Sequence, residues 1–377
     1  MIYLDNASTT FPYDNVLQIL SDKQYYFNAS NLYNQAEKSK TLIEDVRKIC
    51  LNKLQAKEGT MIFTSGGCES NTTMLRSVIW KHLKDETPPH IITSSIEHHS
   101  ILSCLEMYEQ QGLCSVTYIK PDKVGRIYAS DVEKVITKNT KLITIMHVNN
   151  ELGTINDIKR IGRVAHKNNI LFGVDAVQSF TKIPISIEFC DFVSFSAHKF
   201  HGPKGIGGLY VKDINNIIPL INGGNQEFGV RAGTYNVSAI VGMGKAISLA
   251  PSEKEQMDKY TTLKEYTIDR ILDNFKGHEK DIHINGLYLE PTPVLNFSIE
   301  GVIGEAVTLK LAEKEIFISN GSACNTGDLK PSYVLTAIGK SETLANSAMR
   351  LSFSYDTSYV DIDTFIAEFL KIYKEYV

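Results

Sequence analysis

From about Ile43 to Val211, short runs rich in β-branched and aromatic residues alternate with stretches whose apolar residues recur at helical spacing. The runs predict strands over Met61–Thr64, Ile91–Ser94, Ser115–Ile119, Leu142–Met146, Ile170–Val174, Phe192–Phe195 and Ile206–Val211. Between them the spacing predicts helices, among them Glu69–Leu83, Ser100–Gln110 and Ile158–Asn168. Such alternation makes βαβ units whose crossover helices cover both faces of a sheet. The expected fold class is therefore α/β, with a mainly parallel seven-stranded sheet in a large domain.

Around Ala250-Pro251-Ser252 the pattern changes. A long charged helix over Glu253–Phe275 takes its apolar positions from Tyr260, Leu263, Ile268, Ile271 and Leu272. Strands over Ile282–Ile284, Val294–Ser298 and Leu351–Ser354 follow, with a last helix near Asp361–Tyr376. This reads as a small α+β domain, so the expected division is 12–250 for the large domain and 1–11 with 251–377 for the small one. The length supports it: 377 residues exceed the roughly 250 to 300 that one core usually serves.

Composition changes the picture only by exclusion. Hydrophobic residues at 43% and charged residues at 22% suit an ordinary folded protein rather than a disordered one. A net charge of −4 without a basic block gives no reason to expect direct contact with nucleic acid or an acidic membrane. The start, Met1-Ile2-Tyr3-Leu4-Asp5-Asn6, lacks the features of a secretory signal, and no apolar stretch reaches the ~18 residues of a membrane span. The six cysteines contain no Cys-x-x-Cys pair and follow no disulfide framework. A cytoplasmic protein is expected.

In a parallel α/β sheet, ligands sit at the carboxyl ends of the strands, and five predicted strand ends carry chemistry. Thr64-Ser65-Gly66-Gly67-Cys68-Glu69 is a strand, a glycine turn and a helix start, which suits an anion as well as a plain tight turn. Ile96-Glu97-His98-His99-Ser100 offers an imidazole to stack on a flat ring; no third ligand at familiar spacing accompanies the two histidines, so no metal is expected. His147-Val148-Asn149-Asn150-Glu151 brings amides that also serve as ordinary loop residues. Asp175, after an apolar strand and with Gln178 close by, needs a cationic partner such as a lysine, an arginine or a pyridinium nitrogen. Ser196-Ala197-His198-Lys199 places a lysine where a strand meets a turn-rich loop, as a Schiff base with an aldehyde cofactor requires. Lysine, strand-end aspartate, glycine turn and histidine in one domain form the minimum set for pyridoxal 5'-phosphate.

These segments, together with Arg231-Ala232-Gly233-Thr234 and Gly321-Ser322-Ala323-Cys324, resemble the cysteine desulfurases, in the branch that serves iron–sulfur cluster assembly and tRNA thiolation. The resemblance runs from Tyr3-Leu4-Asp5-Asn6 to Arg350-Leu351-Ser352-Phe353, nearly the whole chain. It implies the aminotransferase-like fold of pyridoxal phosphate enzymes (fold type I) and a homodimer in which the partner subunit completes each site. Lys199 would hold the cofactor aldehyde, Asp175 would pair with the pyridinium, Gln178 would donate to the ring hydroxyl and His98 would stack on the ring. Gly67, Cys68, Ser196 and His198 would hold the phosphate, with Thr234 reaching in from the other subunit, and Ala197 would also belong to the cofactor site. Arg350 would clamp the substrate carboxylate, with Asn28 on the substrate side and Asn150 near both the cofactor ring oxygen and the substrate.

The implied reaction removes sulfur from L-cysteine, leaving L-alanine and a persulfide on Cys324. Lys199, Cys324 and His98 would be catalytic, and the sulfur would pass to an acceptor protein such as a cluster scaffold, a tRNA thiolation enzyme or a thiamine-pathway carrier. Cys324 lies among small polar residues suited to an exposed loop. Two positions depart from the family pattern: Cys68 stands where a hydroxyl residue is usual, and Asn28-Ala29-Ser30 replaces Asn-Pro-Ser. Alternatives are another pyridoxal phosphate activity, such as selenocysteine lyase or an aminotransferase, and a catalytically silent interaction protein.

Overall fold

The chain opens on a two-residue strand, β1 (Ile2–Tyr3), and passes through helices Asp14–Ser21 and Asn34–Lys53 before entering its main sheet. The structure, a computed structural model, describes residues 1–275, 281–320 and 331–375. The main sheet holds β2 (Thr60–Thr64), β3 (His90–Ser94), β4 (Ser115–Ile119), β5 (Thr140–Met146), β6 (Leu171–Asp175), β7 (Phe192–Ser196) and β8 (Gly207–Val211). Their order is β2-β8-β7-β6-β5-β3-β4. Only β8 pairs antiparallel, with β2 on one side and β7 on the other, so the other six strands run the same way and end at one edge. β6 lies at the centre, and its last residue is Asp175.

Alternate side chains along each strand sort to opposite faces. Met61, Phe63, Phe172, Val174, Val193 and Phe195 pack with helices Asn34–Lys53, Ile158–Lys167 and Val237–Leu249. Ile62, Leu142, Phe192 and Leu209 pack with Gly67–Lys81 and His99–Gln110 on the other side. This is the three-layer α/β arrangement expected of strands that are apolar on both faces.

Four further strands, β9 (Ile282–Asn285), β10 (Val294–Ile299), β11 (Ile316–Phe317) and β12 (Ala348–Ser352), lie outside this sheet. β12, β10 and β9 form an antiparallel sheet, and β11 pairs in parallel with β1. A second core joins Leu4 to Leu263, Ile271, Phe297, Leu351, Phe365 and Phe369. Capping boxes start its two longest helices: Ser252 and Glu255 at Glu253–Asn274, Ser358 and Asp361 at Tyr359–Tyr373.

Each predicted strand is present; Ser115–Ile119 has the predicted bounds and the others are shifted at one or both ends. β6 includes Asp175, which the sequence pattern set just after the strand, because His147 N donates to Asp175 O at 2.9 Å and continues the ladder. The predicted strand Leu351–Ser354 is β12, Ala348–Ser352, with Arg350 inside it opposite Asn296. A buried arginine in the run hid its first half. Helix Gly67–Lys81 starts two residues before the predicted Glu69, directly at the glycine turn.

Candidate active site

The turn after β2 is built by close backbone approach. A Cβ on Gly67 would lie 2.6 Å from Val177 Cγ2, and one on Gly207 would lie 2.7 Å from Gly66 Cα. Thr64 Oγ1 meets Ser70 Oγ at 2.8 Å, and Glu69 Oε2 accepts from Ser65 N at 2.7 Å. The first N–H groups of helix Gly67–Lys81 have no acceptor within the helix, so the turn presents donors and a positive helix end. Gly67, Cys68, Ser196 and His198 line the cavity in front of it, which measures about 340 Å³.

Asp175, also on the cavity wall, is fixed from two sides: Oδ2 accepts from Asn71 Nδ2 at 2.7 Å and Oδ1 from Val177 N at 2.9 Å. Asn71, fully buried, is itself held by Ser100 and Ser194. His98 caps helix His99–Gln110, its Nδ1 accepting from Ser100 N at 3.1 Å. Burial holds this imidazole below its ordinary pKa, Asp175 opposes that, and Lys199 adds to it. Asn149 shapes the next loop, its Oδ1 accepting from Glu151 N and Leu152 N, both at 2.9 Å, and so places Asn150 and Glu151 on the cavity.

Lys199 ends a one-turn 3₁₀ helix, Ala197–Lys199, rather than the strand, which stops at Ser196. Its Nζ donates to Ala7 O at 2.6 Å and Ser8 O at 2.7 Å. Gln178 Nε2 donates to the same Ala7 O at 2.9 Å. Arg350, 3% exposed, donates through Nη2 to Asp5 Oδ1 and Ser8 Oγ, both at 2.8 Å, and through Nη1 to Asn150 O at 3.0 Å. One N-terminal segment, Asp5 to Ser8, thus ties Lys199, Gln178 and Arg350 together.

Two buried carboxyls lie in the same region. Burial pushes Glu97 up to about 8 against the pull of Ser94 and Met146 N, with Asp175 adding to the rise. Burial likewise raises Glu151 to about 7, opposed by Ser332 and Arg350. His198 is pushed down to about 4 by burial and then by Lys199, Lys204 and Lys182.

The fold brings Lys199, Asp175, Gln178, His98, Asn150, Arg350, Gly67, Cys68, Ser196 and His198 to one cavity. Three predicted residues are not on its wall. Ala197 is buried in the core beneath it, Asn28 turns its Oδ1 to Ser30 N, and Thr234 is exposed. Cys324 lies outside the described residues. Sequence reasoning did not single out Asn71, Ala7, Ser8 or Tyr333. Asn71 had a signal, since it falls on the stripe of Met74, Leu75 and Val78 where a polar residue is out of place.

The residues suit pyridoxal phosphate. Gln178 Oε1, Asn150 Oδ1 and Arg350 Nε are buried without a hydrogen-bond partner among the described residues, and all three side chains line the cavity. Buried polar atoms are normally satisfied, so a polar ligand fits them. A helix N-terminus for phosphate, a carboxylate for a ring nitrogen and a lysine for an aldehyde complete the match.

The family described as Aminotransferase class-V matches residues 2–365. The chain belongs to the class-V aminotransferase family. Like others, this class-V member has close curated relatives: it is 37% identical over 368 residues to "Cysteine desulfurase IscS" of Dictyoglomus turgidum, covering 96% of this chain and 92% of that protein. It is 39% identical over 370 residues to "Cysteine desulfurase IscS" of Methanosarcina thermophila, covering 96% and 89%. Among solved structures, a "NIFS-like protein" superposes with a TM-score of 0.89 at 30% identity, covering 99% of both chains. "SspA in complex with cysteine" superposes at 0.79 with 36% identity, covering 94% of this chain and 99% of that one. Class-V membership places the chain among proteins of the fold type I architecture, in agreement with its mainly parallel seven-stranded sheet. No helix among the described residues is long and apolar enough to cross a membrane.

Proposed function

We propose that this chain is a pyridoxal 5'-phosphate-dependent cysteine desulfurase that converts L-cysteine to L-alanine and takes the sulfur as a persulfide on Cys324. The observation that carries the reading is the convergence of Lys199, Asp175 and Arg350 on one cavity beside a helix N-terminus, with three buried polar atoms of its wall residues lacking a partner among the described residues. The curated relatives and the cysteine-bound structural neighbour support it.

When bound, the cofactor supplies an aldehyde that combines with amines and a ring that accepts electrons released at the substrate Cα. Gly67 and Cys68, at the helix start, would hold the phosphate with Ser196 and His198. Asp175, pinned by Asn71 and Val177, would pair with the ring nitrogen and favour its protonated form, and His98 would pack against the ring. Arg350 binds the substrate carboxylate with the N–H groups that Asp5, Ser8 and Asn150 leave over, Nε among them. Lys199 Nζ takes the proton from the substrate Cα and moves it onward. The Cys324 thiolate then attacks the substrate sulfur: an S–S bond forms as the Cβ–S bond breaks with its electron pair left on carbon, and protons taken up at Cβ and at Cα complete alanine. A persulfide must be discharged onto another thiol, so an acceptor protein follows in the sequence.

Thr234, exposed and away from its own cavity, fits a homodimer in which it serves the neighbouring site. The two hydrophobic cores fit a division into 12–250 and 1–11 with 251–377. The test is to incubate purified holoenzyme with L-cysteine and measure alanine and sulfide. Alanine is expected to appear with wild type and to vanish in Lys199→Ala; wild-type alanine no higher than in that variant would reject the reading.

A further inference from the structure

The loop after β8 holds an unusual backbone. Glu227 and Phe228 adopt φ of +47° and +59°, a region that side chains other than glycine enter at a cost. The Glu227 carboxylate offsets that cost. It accepts from Arg47 Nη1 and Nη2, both at 2.9 Å, and from Phe63 N at 2.7 Å, with Arg47 and Glu227 both buried. Phe63 belongs to β2, the strand that leads into the glycine turn, so the loop is stapled beside that turn.

From this anchored loop Arg231 reaches Glu69. Its Nε donates to Glu69 Oε1 at 2.9 Å and its Nη2 to Glu69 Oε2 at 3.2 Å. Glu69 is the third residue of helix Gly67–Lys81, and its side chain is 8% exposed. Its carboxylate also closes the turn by accepting from Ser65 N. A carboxylate there helps the helix start but repels an anion bound at the same N-terminus. Burial pushes the Glu69 carboxyl up, yet the bonds from Arg231 and Ser65 outweigh it and hold it below its ordinary range, so the group is charged.

We infer that Arg231 is a positioning residue for the cofactor phosphate: it neutralises Glu69 and holds it on Ser65, so that the turn at Gly67 can accept a dianion. The inference rests on the cofactor reading above, and on none of the cysteine chemistry. Arg231 does not line the cavity, so it acts through Glu69 and the turn rather than by touching the cofactor.

The experiment titrates cofactor-free protein with pyridoxal phosphate and, separately, with pyridoxal, which has the same ring and aldehyde without the phosphate. Arg231→Met is expected to weaken pyridoxal phosphate binding by about tenfold or more while changing pyridoxal binding by less than about twofold. Glu69→Gln combined with Arg231→Met is expected to recover most of the lost affinity, because the uncompensated charge is gone. Equal weakening of both ligands, or a double variant no better than Arg231→Met, would overturn the inference. Should Arg231→Met fold poorly, the double variant and Arg231→Lys answer the same question by their pyridoxal phosphate to pyridoxal ratios. A wild type that binds pyridoxal phosphate but makes no alanine would reject the desulfurase reading and leave this one standing.

Discussion

Asn71→Ala removes one small side chain that supports the cavity wall at Asp175 from inside. The amide donates to Asp175 Oδ2 at 2.7 Å and to Ser100 Oγ at 2.9 Å, and accepts from Ser194 Oγ at 2.6 Å. Asn71 and Ser194 are 0% and 1% exposed, so water does not replace what is lost. A hydrogen bond to a charged group contributes roughly 1.5–3 kcal/mol, a neutral one about 1 kcal/mol, and a buried hydroxyl stripped of its acceptor costs roughly 1–3 kcal/mol. Together these give an expected loss of roughly 3.5–7 kcal/mol, with little from the small volume removed. Urea unfolding of the cofactor-free protein, followed by far-ultraviolet circular dichroism at unchanged m, reads this as a lower midpoint. Because Asp175 then keeps Val177 N as its one fixed donor among the described residues, cofactor binding should weaken in the same variant. A loss below about 1 kcal/mol would refute the assignment of Asn71 as the support of Asp175.

Two other changes follow from the same geometry. Glu97 rises from 4.5 to about 8 through burial, so between those values the native protein holds a proton that the unfolded chain has released, and stability should fall as pH rises through the window. Glu97→Gln should flatten that fall in thermal melts taken from pH ~4.5 to ~8; an unchanged slope would show that another group carries it. Gly67→Ala would drive a Cβ to within 2.6 Å of Val177 Cγ2. It should destabilise the protein by roughly 1–3 kcal/mol and lower cofactor absorbance at ~420 nm, and a wild-type melt with full absorbance would exclude so tight a turn.

Most of the large sheet was legible because its strands are apolar on both faces. Phe192 to Phe195 and Leu142 to Met146 stand out in one dimension, since every position along them is buried. β12 was less legible: its buried Arg350 interrupts the apolar run, and only pairing with Asn296 shows that the strand continues through it. Asp175 and Lys199, singled out from the sequence, both lie on the cavity wall, but in another local setting than the pattern gave. The first is the last residue of its strand and the second belongs to a 3₁₀ turn, because the hydrogen bonds of neighbouring strands and loops decide where a ladder stops.

The amino-acid sequence by itself determined the α/β class, the order of the strands' chemistry along the chain and the types of group at the strand ends, because periodicity and residue chemistry are local properties. Only the tertiary structure decided what those groups touch. It brought Ala7 and Ser8 onto Lys199, Asp5 onto Arg350, Asn71 onto Asp175 and Arg231 onto Glu69, pairs separated by 192 and 191, 345, 104 and 162 positions respectively. No local pattern encodes contacts at such separations. They arise when the sheet order and the two cores bring distant segments to one edge, where each buried polar group must find a partner.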